Sequence, residues 1–264
     1  MKFALINNSR TEASKGAKGI CPICGSDLIA KCGSLKMHHW AHRAIRNCDP
    51  WWENETEWHR EWKSNFPDKS QEVIMHDEQT GEKHIADVRT EHGLVIEFQH
   101  SAIKPQERIA REKFYKNMVW IVDGTRLSRD YPRFLKGKKD YRGTQRSEFF
   151  LVDFPDECFP KSWTESFVPV IFDFRGLASI DDPNDLRNFL FCLYPARGTM
   201  YSILEKLDRE SFLKSIQSGE WITKVAHLMN PPKPAPAQQV RVMIRRRESP
   251  FVLERGRWKK RRRF

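Results

Sequence analysis

The chain has 264 residues, 39% of them apolar and 31% charged, with a formal net charge of +11. That length can bury a substantial core, and the composition excludes a fibre or a disulfide-rich secreted peptide. No apolar run approaches the roughly 20 residues of a membrane helix, and the N-terminus lacks a secretory signal pattern, so the sequence predicts a soluble, cytoplasmic protein with no membrane partner.

Residues 1–50 hold four of the six cysteines (Cys21, Cys24, Cys32, Cys48) and three clustered histidines, with little apolar periodicity. A module of this size and composition needs a metal to fold. In a reducing compartment Cys21-x2-Cys24 favours zinc over a disulfide. Cys21 and Cys24 followed by His39 and His42 have the spacing of a closed Cys2His2 site for structural Zn²⁺. His38, Cys32 and Cys48 are alternative donors, which leaves the fourth ligand open.

From Trp51 the spacing of Trp51, Trp52, Trp58, Trp62 and Phe66 predicts a helix that stops at Pro67. Its tryptophans read as a packed face, not as a stacking platform for bases. Strands are predicted at 71–76, 84–90 and 93–99, a helix over Lys104–Lys116, and a buried strand at Met118–Asp123 closed by Gly124. Helix, three strands, helix and strand in that order predict an α/β or α+β fold, a mixed sheet covered by helices.

Beyond Gly124, 149–154 and 167–174 read as strands, with Pro169 placing the start of the second at an edge. Leu186–Leu193 and Met200–Ile216 read as helices, with Gly219 as a stop. The proline-rich stretch from Asn230 to Ala237 predicts a stiff linker. Nine of the eleven net positive charges lie between Gln239 and Phe264. Arg245, Arg246, Arg247, Lys259, Lys260, Arg261, Arg262 and Arg263 are too dense to pack and predict contact with nucleic-acid phosphates.

The most informative stretch is 85–99. Both predicted strands alternate, and the turn at Glu91-His92-Gly93 brings Asp87 and Glu97 side by side. Two carboxylates so close repel unless a cation or a proton lies between them. Glu97 and Gln99 also interrupt an otherwise interior apolar strand, which requires compensation. Mg²⁺, which takes one or two carboxylates plus waters, is the natural occupant, with Mn²⁺ as its substitute.

Several of these residues together resemble the competence-protein CoiA-like nucleases of the PD-(D/E)XK superfamily: the Cys-Pro-x-Cys with His39-Trp-Ala-His42, the helix carrying Glu57, His59, Trp62 and Lys63, then Ala86-Asp87-Val88, then Ile96-Glu97-Phe98-Gln99 with Ser101 and Ile103. The resemblance covers about residues 20–124, including Glu107, Arg108 and Tyr115, and fades beyond. It implies a restriction-endonuclease-like fold in which Asp87 and Glu97 are metal ligands. Gln99 stands where the superfamily often has Lys; it orients a water but supplies no charge. Glu57 corresponds to a helix acid ahead of the sheet, with Glu53 and then Glu72 as substitutes.

On this reading residues 1–50 form the zinc module, 51–124 the nuclease core, 125–229 a C-terminal α/β extension, and 230–264 the linker and basic tail. Asp87, Glu97, Gln99, Glu57 and His59 are the expected catalytic residues, and Lys63 and Arg108 contact phosphate alongside the tail. The expected activity is Mg²⁺-dependent endonucleolytic hydrolysis of DNA, duplex or single-stranded, by a chain that acts as a homodimer or with a protein partner. The competing reading is a weak or inactive nucleic-acid-binding subunit of a larger DNA-processing, DNA-uptake or defence complex, suggested by Gln99.

Overall fold

The structure is a computed structural model that describes residues 1–34, 37–43, 48–196, 201–229, 251–254 and 257–260. It divides into two compact units, Met1–Met229 and Asn230–Phe264. In the second, Phe251–Glu254 pairs antiparallel with Arg257–Lys260. The predicted linker, Arg245–Arg247 and Arg261–Arg263 lie outside the described residues, as do the side chains of Lys259 and Lys260.

The first unit is mixed α+β with two sheets. The smaller holds β1 (Phe3–Ile6), β2 (Ser9–Glu12), β3 (Lys18–Ile20), β4 (Asp27–Lys31) and β5 (His39–His42) in the order β2-β1-β3-β4-β5. Trp40, 2% exposed, and Leu28 centre its core. The chain then forms α1 (Glu57–Ser64), β6 (Gln71–His76), β7 (Lys83–Arg89), β8 (Val95–Gln99), α2 (Pro105–Tyr115), β9 (Met118–Asp123) and α3 (Asp130–Lys138). After these come β10 (Arg142–Gly143), β11 (Phe149–Val152), α4 (Pro155–Cys158), α5 (Lys161–Thr164), β12 (Val170–Asp173), β13 (Phe189–Leu193), β14 (Ser202–Asp208), α6 (Arg209–Gln217) and α7 (Glu220–Met229).

The larger sheet has nine strands in the order β10-β11-β14-β13-β12-β9-β8-β7-β6. β8, β9 and β12 run parallel, and every other neighbouring pair is antiparallel. Strands from 125–208 therefore extend the sheet that carries Asp87 and Glu97. Strand alternation divides the core: Trp120, Phe172 and Phe191 pack on one side with Phe134 and Phe159. Val119, Ile121, Ile171 and Leu190 pack on the other with Trp58 and Trp62 of α1, Phe212 and Trp221.

Four elements differ from the sequence expectations. The helix predicted from Trp51 starts only at Glu57, because Thr56 caps it: its hydroxyl accepts from His59 N, and the His59 imidazole accepts from Thr56 N at 3.2 Å. Leu186–Leu193 is a 3₁₀ turn leading into β13, since a short apolar run is equally consistent with a fully buried strand. The predicted helix at Met200–Ile216 is, from Ser202 on, a strand followed by α6, which starts where the Asp208 side chain accepts from Ser211 N. Lastly, β12 is a central strand. Pro169 precedes it, and its carbonyl still accepts from Trp120 N at 3.1 Å.

At the end of β12 the Asp173 carboxylate is fully buried. It accepts from the indole nitrogens of Trp58 and Trp62 at 3.0 Å each, from Arg209 at 2.7 and 3.4 Å, and from the backbone of Arg175 and Gly176. α1 is thereby fastened to the sheet through two of its own side chains. Asp173→Ala would leave Arg209 and both indoles facing an apolar gap, with an expected cost of about 3–5 kcal/mol in urea unfolding. A loss below about 1 kcal/mol would contradict this role for the carboxylate.

Candidate functional site

Val88 pairs with Ile96 and Arg89 with Val95, which sets Asp87 opposite Glu97. There the strands exchange side-chain bonds: Asp87 N donates to Glu97 Oε1 at 3.1 Å, and Phe98 N donates to Asp87 Oδ2 at 3.0 Å. Gly93, at φ +79°, and Thr90 close the hairpin that sets this register. On the other side of β7, the register Gln71–Val88 and Val73–Ala86 brackets Glu72 opposite Asp87. Three carboxylates thus cross three adjacent strands in a row. Glu72 has φ +45°, a left-handed conformation that costs a non-glycine residue roughly 1–2 kcal/mol. The Lys2 and Phe3 backbone N–H groups donate to its carboxylate at 2.6 and 3.1 Å and hold it there.

A cavity of about 60 Å³ lies over this row, room for an ion and a few waters. Asp49, Glu53, Glu55, Glu72, Asp87 and Glu97 line it, against Lys63, Arg111 and Met1, whose α-amine acts on Glu55, with His59 alongside. Lys63 Nζ is 2.9 Å from Asp87, 3.3 Å from Glu55 and 3.8 Å from Glu72. Burial disfavours its charge, but Asp87, Glu72 and Glu55 outweigh burial and push the ammonium pKa up. Burial likewise opposes ionised Asp87, and Lys63 and His59 hold its pKa down. Glu97 is pushed up to about 8 by burial and by the charge of Asp87, although Arg111 lies 3.0 Å away. Burial lowers His59, in keeping with an imidazole Nδ1 that accepts from the helix cap.

Gln99 is 2% exposed, and its Nε2 donates to Glu53 and to Ser101. Its Oε1 is buried with no hydrogen-bond partner. Glu57 is exposed and does not line the cavity. The capped start of α1 turns it outward, and the non-helical residues Glu53 and Glu55 take its place. Arg108 also departs from expectation: it is 1% exposed and its Nη1 donates to both Glu112 oxygens one turn on, which removes it from any phosphate. Lys63 is likewise buried among carboxylates and not on an open face. Tyr115 is buried against Trp51. Sequence reasoning missed Arg111, which donates to Glu97, Glu107 and the Trp51 carbonyl. Only its i,i+4 spacing from Glu107 hinted at it.

In the smaller sheet Cys21, Cys24, His42 and Cys48 bring their ligand atoms within 4.8 Å of one another, a cluster that could hold a structural metal such as zinc. His39 is not among them. It lies on the same strand as His42 but three residues away, so alternation sends the two imidazoles to opposite faces, and His39 Nδ1 donates to the Met37 carbonyl instead. Cys48 fills the vacated position. The donor set suits zinc, because thiolates are its preferred ligands. Burial opposes the Cys24 thiolate, yet hydrogen bonds from Ser26 and His42 bring its pKa down to about 6. Burial and the neighbouring Cys21 and Cys24 push Cys48 up to about 12, so its ionisation calls for a cation.

The residue after Cys48 joins this cluster to the carboxylate row. Asp49 accepts from His84 Nδ1 and Ile85 N at 2.9 Å each, two residues before Asp87, and from Trp51 N.

Residues 5–50 match the family model of the competence protein CoiA N-terminal domain. Over 144 residues the chain is 26% identical to competence protein CoiA of Bacillus subtilis (strain 168). The chain's N-terminal segment is similar to CoiA. The aligned segment spans 50% of this chain and 38% of that relative's length. No solved structure matches it. The CoiA-like N-terminal match contains Cys21, Cys24, His42 and Cys48. Among the described residues no helix is long and apolar enough to cross a membrane.

Two outcomes are expected. Cys24→Ser and Cys48→Ser should lose bound zinc by mass spectrometry under native conditions while His39→Ala retains it; loss in His39→Ala alone would contradict the ligand set. Glu97 binds its proton more tightly when folded, so that contribution is complete below about pH 4.5 and disappears as pH rises through about 8. The melting temperature of protein free of divalent cations should therefore fall across that window, and Glu97→Gln should flatten the fall. Parallel curves for the two proteins would contradict it.

Proposed function

We propose that the chain is a metal-dependent nuclease that hydrolyses DNA phosphodiester bonds on a PD-(D/E)XK-like core, with Asp87 and Glu97 holding Mg²⁺ or Mn²⁺. One observation carries the reading: the acidic pair on adjoining strands opens into a cavity where six carboxyl groups outnumber the basic groups of Lys63, Arg111 and Met1. A phosphodiester brought to such a cavity is repelled unless a further cation accompanies it. The hard oxygen donors suit Mg²⁺. Each oxygen of Asp87 and Glu97 has one close donor and retains a lone pair.

When bound, the cation supplies neutralisation of phosphate charge and acidifies water. The chain's own residues do the rest. Gln99 is buried outside the cavity lining and acts through Glu53, which it holds there by Nε2 so that this carboxylate orients the attacking water. Lys63 supplies the positive charge that Gln99 lacks, from a helix instead of the strand. His59 accepts at Nδ1 from its cap, which leaves Nε2–H to donate toward phosphate oxygen or the leaving group. The basic tail adds sequence-independent affinity for the polymer.

A second reading, a binding subunit without turnover, is favoured by Lys63, whose ammonium already neutralises Asp87. Plasmid cleavage separates the two. Mg²⁺-dependent nicking, abolished by EDTA and reduced at least about a hundredfold by Asp87→Ala and by Glu97→Ala, is expected. Cleavage that survives either substitution, or none by the parent protein with Mg²⁺ or Mn²⁺, would contradict the nuclease reading.

A further inference from the structure

One residue beyond Gln99 the chain enters a second cavity, of about 110 Å³, lined by His100, Ser101, Arg126, Arg129, Asp130 and Arg133 above an apolar floor that includes Phe172 and Phe174. His100 donates from Nδ1 to the buried Asp123 at 2.7 Å. The other Asp123 oxygen is taken by the backbone and hydroxyl of Thr125, so the carboxylate is fixed and the imidazole with it. This leaves Nε2 as the polar atom of the ring not engaged by Asp123.

Arg133 is the second observation. Its Nε and Nη2 are buried and have no hydrogen-bond partner, Asp130 Oδ1 standing 3.6 Å from Nη2. Those two nitrogens form the side-on edge of a guanidinium, whose parallel N–H groups match two oxygens of one phosphate. Nε has no partner and Nη2 has only the long ion pair with Asp130, so an oxyanion that displaces that carboxylate satisfies two buried donors. Arg126 and Arg129, both exposed, stand at the mouth. Size restricts the ligand: an engineered cavity of about 150 Å³ just holds benzene, so this one admits a phosphate group and not a base. Charge restricts it further, since a phosphate monoester carries about −1.5 to −2 at neutral pH and a diester only about −1.

We infer that this cavity binds the terminal phosphate of a nucleic-acid strand and so holds a phosphorylated end beside the carboxylate site. The inference takes its polymer from the nuclease reading, but binding in EDTA tests it without turnover, so absence of cleavage leaves it standing. The measurement is fluorescence anisotropy of the full chain with single-stranded oligonucleotides ending in 5′-phosphate, 3′-phosphate or hydroxyl, with inorganic phosphate as competitor. One phosphorylated end should bind at least about tenfold tighter than the hydroxyl end, and inorganic phosphate should remove only that difference. Arg133→Lys and His100→Ala should each lose most of the preference while binding the hydroxyl-ended strand as the parent does, which also certifies their fold. Equal affinity for all ends would overturn the inference, as would a preference that survives both substitutions. Inorganic phosphate that binds while strand ends remain indistinguishable would overturn the strand end as its ligand.

Discussion

The Asp173 carboxylate governs what the rest of this molecule can do. It lies at the end of a central strand, out of contact with water, and is surrounded by donors from α1, from α6 and from the backbone that follows β12. A buried carboxylate is tolerated only when its charge is matched in this way. The two indoles that supply part of the match sit one residue before His59 and one before Lys63, so the bonds that stabilise Asp173 also set the position from which Lys63 reaches Asp87. The strands after residue 125 thus belong to the frame of the candidate site.

Around the carboxylate row the same electrostatic logic applies on a finer balance. Lys63 from α1 and Arg111 from α2 approach Asp87 and Glu97 from different elements, and backbone N–H groups take the remaining close positions. The match is incomplete: Glu97 keeps a proton near neutrality, Gln99 Oε1 has no donor, and Glu72 holds a left-handed backbone. Such residual strain and unmatched polarity concentrate where a fold is built to take a ligand. The N-terminal module contributes as well, through Asp49 beside Cys48 and through the Lys2 and Phe3 amides on Glu72. Metal in that module would stabilise the walls of the cavity without touching its chemistry.

Much of this was legible in the sequence where a short-range pattern determines geometry. Alternation and the Gly93 turn announce that Asp87 meets Glu97, and the Cys21–Cys24 knuckle announces a thiolate pair. Two of the failures share a cause, which is that helix and strand periodicity cannot be separated over short stretches. His39 and His42 look like partners until a strand sets them on opposite faces, and 189–193 looks helical until neighbours on both sides make it a strand. Asp173 and the Arg111–Glu97 pair depend on contacts between residues far apart in the chain, whereas the Thr56 cap of α1, three residues from His59, is a local signal that the tryptophan spacing overrode.

The central claim is that Asp87 and Glu97 form a cation site for which Lys63 is the resident substitute. Anomalous diffraction from a crystal soaked in Mn²⁺ tests it most directly. A peak in contact with oxygens of both carboxylates, with the Lys63 ammonium displaced from Asp87, is the predicted result. An empty map there, with Lys63 still against Asp87 at a saturating Mn²⁺ concentration, would contradict it.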